Sequence, residues 1–266
     1  MRKYLTLILS LLALMCALCV SALAEAPEPE QAAGKLYIKT IDEIDILEAQ
    51  RLAEAQDAQS PVNTENWEAA KRTLKQGIRE MQGSIDISQY EIPEASILKF
   101  YLEAIFESPE LFYVVSACSY TYIPSSSGRI ISSVSPCYTV NGSDRVDRLT
   151  DEDKQEIRQQ QTVLEQKLAE IMQEVRSDCS DLTKAMYLHD YIAVHCEYDS
   201  TLTFRDAYRM LINGTGVCQG YMLAYRLLLN RAGVTSSWVQ SDSLRHVWSL
   251  VQLDGAWYHV DVLSLI

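Results

Sequence analysis

Apolar positions along the chain fall into two rhythms. In most segments they recur every three or four residues, the spacing of one helix face. Ile44, Leu47, Leu52 and Ala55 predict a first helix. A second opens at Asn63 or Thr64 and repeats Trp67, Lys71, Leu74, Ile78 and Met81 before Gly83. Residues 92–107 predict a third, stopped by Ser108-Pro109, because proline lacks the N–H that a helix interior uses. Residues 151–175 predict a long helix with Ile157, Leu164, Leu168, Ile171 and Val175 inward and solvated Gln and Glu between them. Two more follow, at 180–195 and at 219–231, the latter closed by Gly233. Its buried stripe is predicted as Met222, Tyr225, Leu228 or Leu229, and Ala232.

The second rhythm is strand-like. Residues 111–123 and 129–140 are Ser/Tyr/Val-rich runs around "PSSSGR", followed by a turn at "NGSD". Three short strands come last, at 234–240, 246–253 and 256–263, the final pair separated by Asp254-Gly255, a strong hairpin signal. A two-residue turn there sets Leu253 opposite Ala256, Val251 opposite Tyr258, Trp248 opposite Asp261 and His246 opposite Leu263. Side chains alternate, so His246, Trp248, Leu250, His259, Asp261 and Leu263 share one face. Residues 37–176 form a mainly helical N-terminal region with a β-hairpin, and the chain changes character near Ser177, where a core spanning 177–266 begins. The apolar faces of the first region read as ordinary packing, and there is no internal repeat.

Ahead of these elements stands a different composition. Arg2 and Lys3, a long apolar run and Ala22-Leu23-Ala24 form the pattern of a cleaved signal peptide over residues 1–24, and the polar, Pro-containing residues 25–36 read as a mobile leader. The expected location is secreted or cell-surface; an uncleaved membrane anchor is the alternative, because the apolar run is longer than a usual signal core. A formal net charge of −13 argues against nucleic acid and anionic membrane as partners. Of seven cysteines, the leader removes Cys16 and Cys19 and leaves an odd set: Cys118, Cys137, Cys179, Cys196 and Cys218. In an exported chain odd parity implies a free thiol or a bond to another chain. Cys118 and Cys137 lie in the two strand-like runs, so a bridged hairpin is expected. Cys179 and Cys196 bracket a continuous helix that separates them by about 25 Å, beyond the ~7 Å reach of a disulfide.

The chemistry centres on "NGTGVCQGY". Cys218 follows Gly214 and Gly216 and opens a helix. The positive end of the helix dipole and its unpaired N–H groups favour thiolate there, the glycines leave room for a substrate backbone, and the Cys218 N–H is a candidate oxyanion donor. A helix-start cysteine is nevertheless more often packing than nucleophile. The hairpin supplies partners: His246 and Asp261 are diagonal neighbours with Cα atoms about 7–8 Å apart, so the carboxylate can fix the imidazole tautomer and leave the other ring nitrogen to take a thiol proton. The alternative for His246 is a half-exposed strand residue. His259 shares the face and competes for Asp261. His189 reads as packed and hydrogen-bonded, and Trp248 and Trp257 as cover for the hairpin or as walls of a groove. No spacing of His and Cys suits a metal.

At these residues the chain resembles the transglutaminase-like superfamily, related in its core to papain-like cysteine peptidases. "GVCQGY" (216–221), "HVW" (246–248) and "DGAWYHVDV" (254–262) look like its Cys, His and Asp motifs, in order and near its spacing. "YLHDYIAVHCEYD" (187–199) is similar to its upstream helix, and "SPELFYV" (108–114) to an N-terminal extension of some bacterial members. The resemblance implies an α+β fold with a nucleophile helix packed on a short antiparallel sheet, with Cys218 as nucleophile, His246 as general base and acid, and Asp261 as its orienting carboxylate. It implies attack on an amide of a protein or cell-wall (peptidoglycan) peptide through an acyl-thioester, by peptidase or acyl-transferase chemistry, without a cofactor or metal, in a monomer. His-Val-Trp-Ser departs from the more frequent His-Ala-Trp-Asn, and the core is expected to be shortened at its C-terminus, since "LSLI" follows Val-Asp-Val. A non-catalytic surface module that keeps the scaffold for binding is the alternative; a dithiol oxidoreductase lacks a neighbouring resolving cysteine.

Overall fold

The computed structural model describes residues 37–41, 63–126, 128–241 and 244–265. The signal peptide, the leader and the helix expected around residues 44–55 lie outside the described residues. In chain order the elements are β1 (Tyr37–Ile41), α1 (Thr64–Arg79), β2 (Ile85–Asp86), α2 (Ile97–Phe106), β3 (Val114–Ser125), β4 (Gly128–Tyr138), α3 (Asp151–Glu174), α4 (Asp181–His195), β5 (Glu197–Tyr198), α5 (Ala207–Asn213), β6 (Thr215–Gly216), α6 (Cys218–Arg231), β7 (Ser236–Ser241), β8 (His246–Leu253) and β9 (Ala256–Val260), closed by a 3-10 turn at Val262–Leu265. The fold is α+β, as the sequence predicts. Among the described residues no helix is long and apolar enough to cross a membrane.

The first half is built on the long β3–β4 hairpin. β1 adds to one side of it and β2 to the other, giving an antiparallel sheet of order β1-β3-β4-β2. α1 packs on α2, with Trp67, Leu74 and Ile78 inward. Lys71, on the same face, is buried because its ammonium meets Glu107 at 2.6 Å and Glu68 at 2.9 Å. α2 begins five residues later than expected. Pro93, extended at φ −59°, ψ 137°, has no N–H for a helix and pushes Ile92 out of helical geometry, so a 3-10 turn at Glu94–Ser96 intervenes.

No disulfide closes the hairpin, which corrects the expected bridge. Cys118 and Cys137 are both buried thiols. The ladder pairs Cys118 with Pro136, not with Cys137. Cys179 and Cys196, at the two ends of α4, likewise stay thiols.

α6 is the centre of the second half. It was expected to bury one stripe; instead every residue from Gly220 to Leu229 is buried. The reason is its position, with α4 and α5 packed against it and β7 and β8 lying along it, so the helix has no solvent side. The sheet order is β7-β8-β9, antiparallel throughout. Val247, Ser249 and Val251 of β8 are buried. Arg226 sits within α6's apolar run and donates to the carbonyl of Phe106, the last residue of α2. A helix C-terminus leaves such carbonyls without internal partners and carries negative partial charge. This buried contact joins the first half of the fold to the central helix, together with the edge-to-face pair Phe106–Trp238 at 4.9 Å.

Candidate active site

α6 starts where the chain turns sharply out of α5. Gly214 caps α5 in the left-handed region (φ 70°), a conformation that costs glycine nothing. Gly216 pairs with Tyr198 in the parallel β5–β6 bridge. A Cβ on Gly216 would meet Met210 Sδ at 2.8 Å and the Phe204 carbonyl at 3.3 Å. The two glycines therefore serve the turn and the tight packing beneath it, which corrects the expectation that they clear space for substrate.

Asp199 fastens the loop leading into this turn. Its Oδ1 accepts from the Thr201 N–H at 2.9 Å and hydroxyl at 2.5 Å, and its Oδ2 from the N–H groups of Thr203 and Phe204 at 2.8 and 2.9 Å. These bonds, with that of the Thr201 hydroxyl foremost, hold its pKa down at about 2. The Phe204 carbonyl then accepts from the Val217 N–H at 2.9 Å, one residue before the thiol.

Cys218 is the first residue of α6 and is half-buried. The helices that begin at Thr64, Asp151, Asp181 and Ala207 each have an N-cap side chain that accepts from the first turn. Val217, the N-cap of α6, has none to offer. The first-turn N–H groups beside the sulfur thus lack the usual side-chain partner. Gln219 donates from Nε2 to Ser116 Oγ of β3 at 3.3 Å.

The β8–β9 hairpin has the predicted register. Leu253 faces Ala256, Val251 faces Tyr258, and Asp254 and Gly255 take φ of 50° and 80°, as a two-residue turn of this hand requires. The ladder ends at Ser249 opposite Val260, so the expected pairs Trp248–Asp261 and His246–Leu263 do not form. The chain instead bends at Asp261 into the 3-10 turn. Asp261 nevertheless reaches His246: Oδ2 lies 2.8 Å from Nε2, with the side chains 24% and 22% exposed. A ring nitrogen bound to carboxylate carries the proton, which leaves Nδ1 as the basic nitrogen. The Trp248 ring stacks on the His246 ring at 5.5 Å between centroids. Its Nε1–H donates to His259 Nδ1 at 2.9 Å, so His259 is engaged by Trp248, and it is His246 that holds Asp261. His189, by contrast, faces Asp190 at 2.9 Å and the edge of Tyr225.

The structure thus brings two of the three expected residues into direct contact. Cys218 stands at the start of the helix that lies along β8, the strand His246 opens, and among the described residues its sulfur makes no hydrogen bond to either. Sequence reasoning missed what supports this arrangement: the Asp199 clamp, the stacked Trp248 as a carrier for His259, and the Ser116–Gln219 contact from the first half of the chain. Arg226, also missed, left a signal as a charge inside "MLAYRLLL".

The core is α+β: a helix that opens on a cysteine without an N-cap side chain packs on an antiparallel sheet whose ribbon presents an imidazole–carboxylate pair. Residues 154–262 match the family model of the transglutaminase-like superfamily. The transglutaminase-like assignment holds for this segment, and with it a fold that generally carries cysteine-dependent acyl transfer or peptide hydrolysis. No curated protein matches the chain. One similar solved structure, described as the crystal structure of a TGase, is 15% identical over 55% of this chain and 44% of that one, with a TM-score of 0.36. The chain spans less than half of that structure's length.

Proposed function

We propose that the protein is an exported cysteine-dependent enzyme acting on an amide of a protein or cell-wall peptide. Cys218 is the nucleophile, His246 the base and then the acid, and Asp261 the carboxylate that holds the imidazole. The observation that carries this reading is the 2.8 Å Nε2–Oδ2 contact, since it leaves Nδ1 to accept a proton. In the proposed reaction Nδ1 takes the thiol proton and the thiolate attacks the carbonyl carbon. First-turn N–H groups stabilise the oxyanion. The tetrahedral adduct then collapses: the C–N bond breaks, the imidazolium returns its proton to the leaving amine, and an acyl-thioester remains for water or a second amine. Export follows from the leader's sequence pattern alone.

The test is the rate of Cys218 alkylation by iodoacetamide against pH, read by peptide mapping so that Cys179 is counted separately. Activation predicts a reactive thiolate well below pH 8 that His246→Ala removes. A slow reaction following an ordinary thiol near pKa ~8.5 would end the proposal. The second reading, a binding module on the same scaffold, draws on the thiol's lack of a hydrogen bond to His246. Peptide binding that survives Cys218→Ala, with no turnover by the native protein, would favour it.

A further inference from the structure

The Asp261 carboxylate holds only one end of the His246 ring, Nε2, at 2.8 Å. A histidine ring turns about its Cβ–Cγ bond, a torsion with broad minima. That rotation swings Nδ1 further than Nε2, because Nε2 lies nearer the axis. A hydrogen bond at Nε2 therefore tolerates a range of ring planes, whereas proton transfer to Nδ1 depends on where that nitrogen points. A base held this way needs a second restraint, one that sets the plane.

The Trp248 indole supplies it. It stacks on the imidazole with centroids 5.5 Å apart and planes 21° from parallel, and turning the imidazole would break that overlap. The indole in turn needs an anchor. Among the described residues Trp248 is half-buried and lies outside the packed core, so core packing does not hold its ring. Its Nε1–H donates to His259 Nδ1 at 2.9 Å. An indole nitrogen only donates, so His259 accepts through Nδ1 and keeps its own proton on Nε2. The register makes this contact: His259 sits opposite Leu250, which places it diagonally across from Trp248 on the same face of the ribbon. The two rings are tilted by 41°, so the hydrogen bond is the directional link between them. His259 itself is exposed on β9, an outer strand of the sheet, and contributes little to the core.

We propose that His259 is a positioning residue for the reaction: its hydrogen bond locks the Trp248 indole, and the stacked indole holds the His246 ring in the plane from which Nδ1 acts as base. His259 works through Trp248 and takes no part in proton transfer. The inference rests on the reading of His246 as the base for Cys218.

The test changes the acceptor alone. His259→Leu removes it, and His259→Asn keeps an acceptor oxygen on Cγ where Nδ1 stands. At an exposed position both variants are expected to keep the native urea midpoint. Cys218 alkylation by iodoacetamide at neutral pH is read by peptide mapping of the full chain, with Cys179 as the internal reference. His259→Leu is expected to slow Cys218 by at least about threefold with Cys179 unchanged, and His259→Asn to recover most of the native rate. Trp248→Leu is expected to slow Cys218 as well, and adding His259→Leu to it to change nothing further. The indole N–H resonance of Trp248, assigned by its loss in Trp248→Leu, is expected to move upfield in His259→Leu and to stay near its native position in His259→Asn.

A native rate in His259→Leu or Trp248→Leu, a slowing that His259→Asn does not repair, or a further slowing by His259→Leu in the Trp248→Leu protein would overturn the inference and leave the roles of Cys218 and His246 standing. A slow, ordinary thiol in the native protein is a different result: it would end the reading of Cys218 and His246, and this inference with it.

Discussion

Arg226 offers the sharpest test of how the two halves are held together. The side chain is 4% exposed. Its guanidinium donates to the Phe106 carbonyl and, at 3.4 Å, to the Ser236 carbonyl, while Nε has no partner. Burial pushes its pKa from 12.5 down to about 10, which corresponds to roughly 3 kcal/mol against the charged form. Two hydrogen bonds from a charged donor return about 1.5–3 kcal/mol each, the long one to Ser236 at the lower end. The arginine is therefore stabilising, but narrowly.

Arg226→Met removes the burial cost and keeps most of the volume, yet leaves the Phe106 carbonyl buried at a helix end. The expected loss is about 1–2 kcal/mol. Arg226→Ala adds a cavity and is expected to cost about 4 kcal/mol. Urea denaturation of both variants measures this as a lower midpoint at unchanged slope. A methionine variant as stable as the native protein would refute the reasoning, because it would mean that the carbonyl contact contributes nothing beyond the charge it requires.

Gly216→Ala is expected to cost about 1–3 kcal/mol from the collision with Met210 and the Phe204 carbonyl, whereas Gly220→Ala, with its nearest neighbour at 3.6 Å, is expected to fold as the native protein does; thermal melts compare them. Glu107, Asp144 and Asp199 all have folded pKa values below the ordinary carboxylate range, Glu107 because its ion pairs with Lys71 and Lys75 outweigh its burial. Their stabilisation is complete above about pH 4–5 and is lost as pH falls through the folded values, so the melting temperature should drop steeply below about pH 4, and Asp199→Asn should flatten part of that drop. Asp261→Asn leaves no carboxylate to fix the His246 tautomer and is expected to slow Cys218 alkylation near neutral pH by about tenfold or more, measured against an unchanged circular dichroism spectrum.

The sequence alone determined a good deal. Helical spacing placed α1 and α3 with their inward residues and α4 as a helix, and Asp254-Gly255 fixed the hairpin register, because both are local: one depends on 3.6-residue periodicity, the other on two residues that accept positive φ. The order of Cys218, His246 and Asp261 was legible for the same reason, as three short motifs on elements of recognisable period. What tertiary structure decided is where separate elements meet. That α6 is buried on every side, that the glycines before Cys218 serve packing, and that β9 ends at Val260 yet Asp261 still reaches His246 all depend on contacts between separate elements. Periodicity reports which side of an element is apolar and is silent on what covers it, so these features emerge only when the chain is folded.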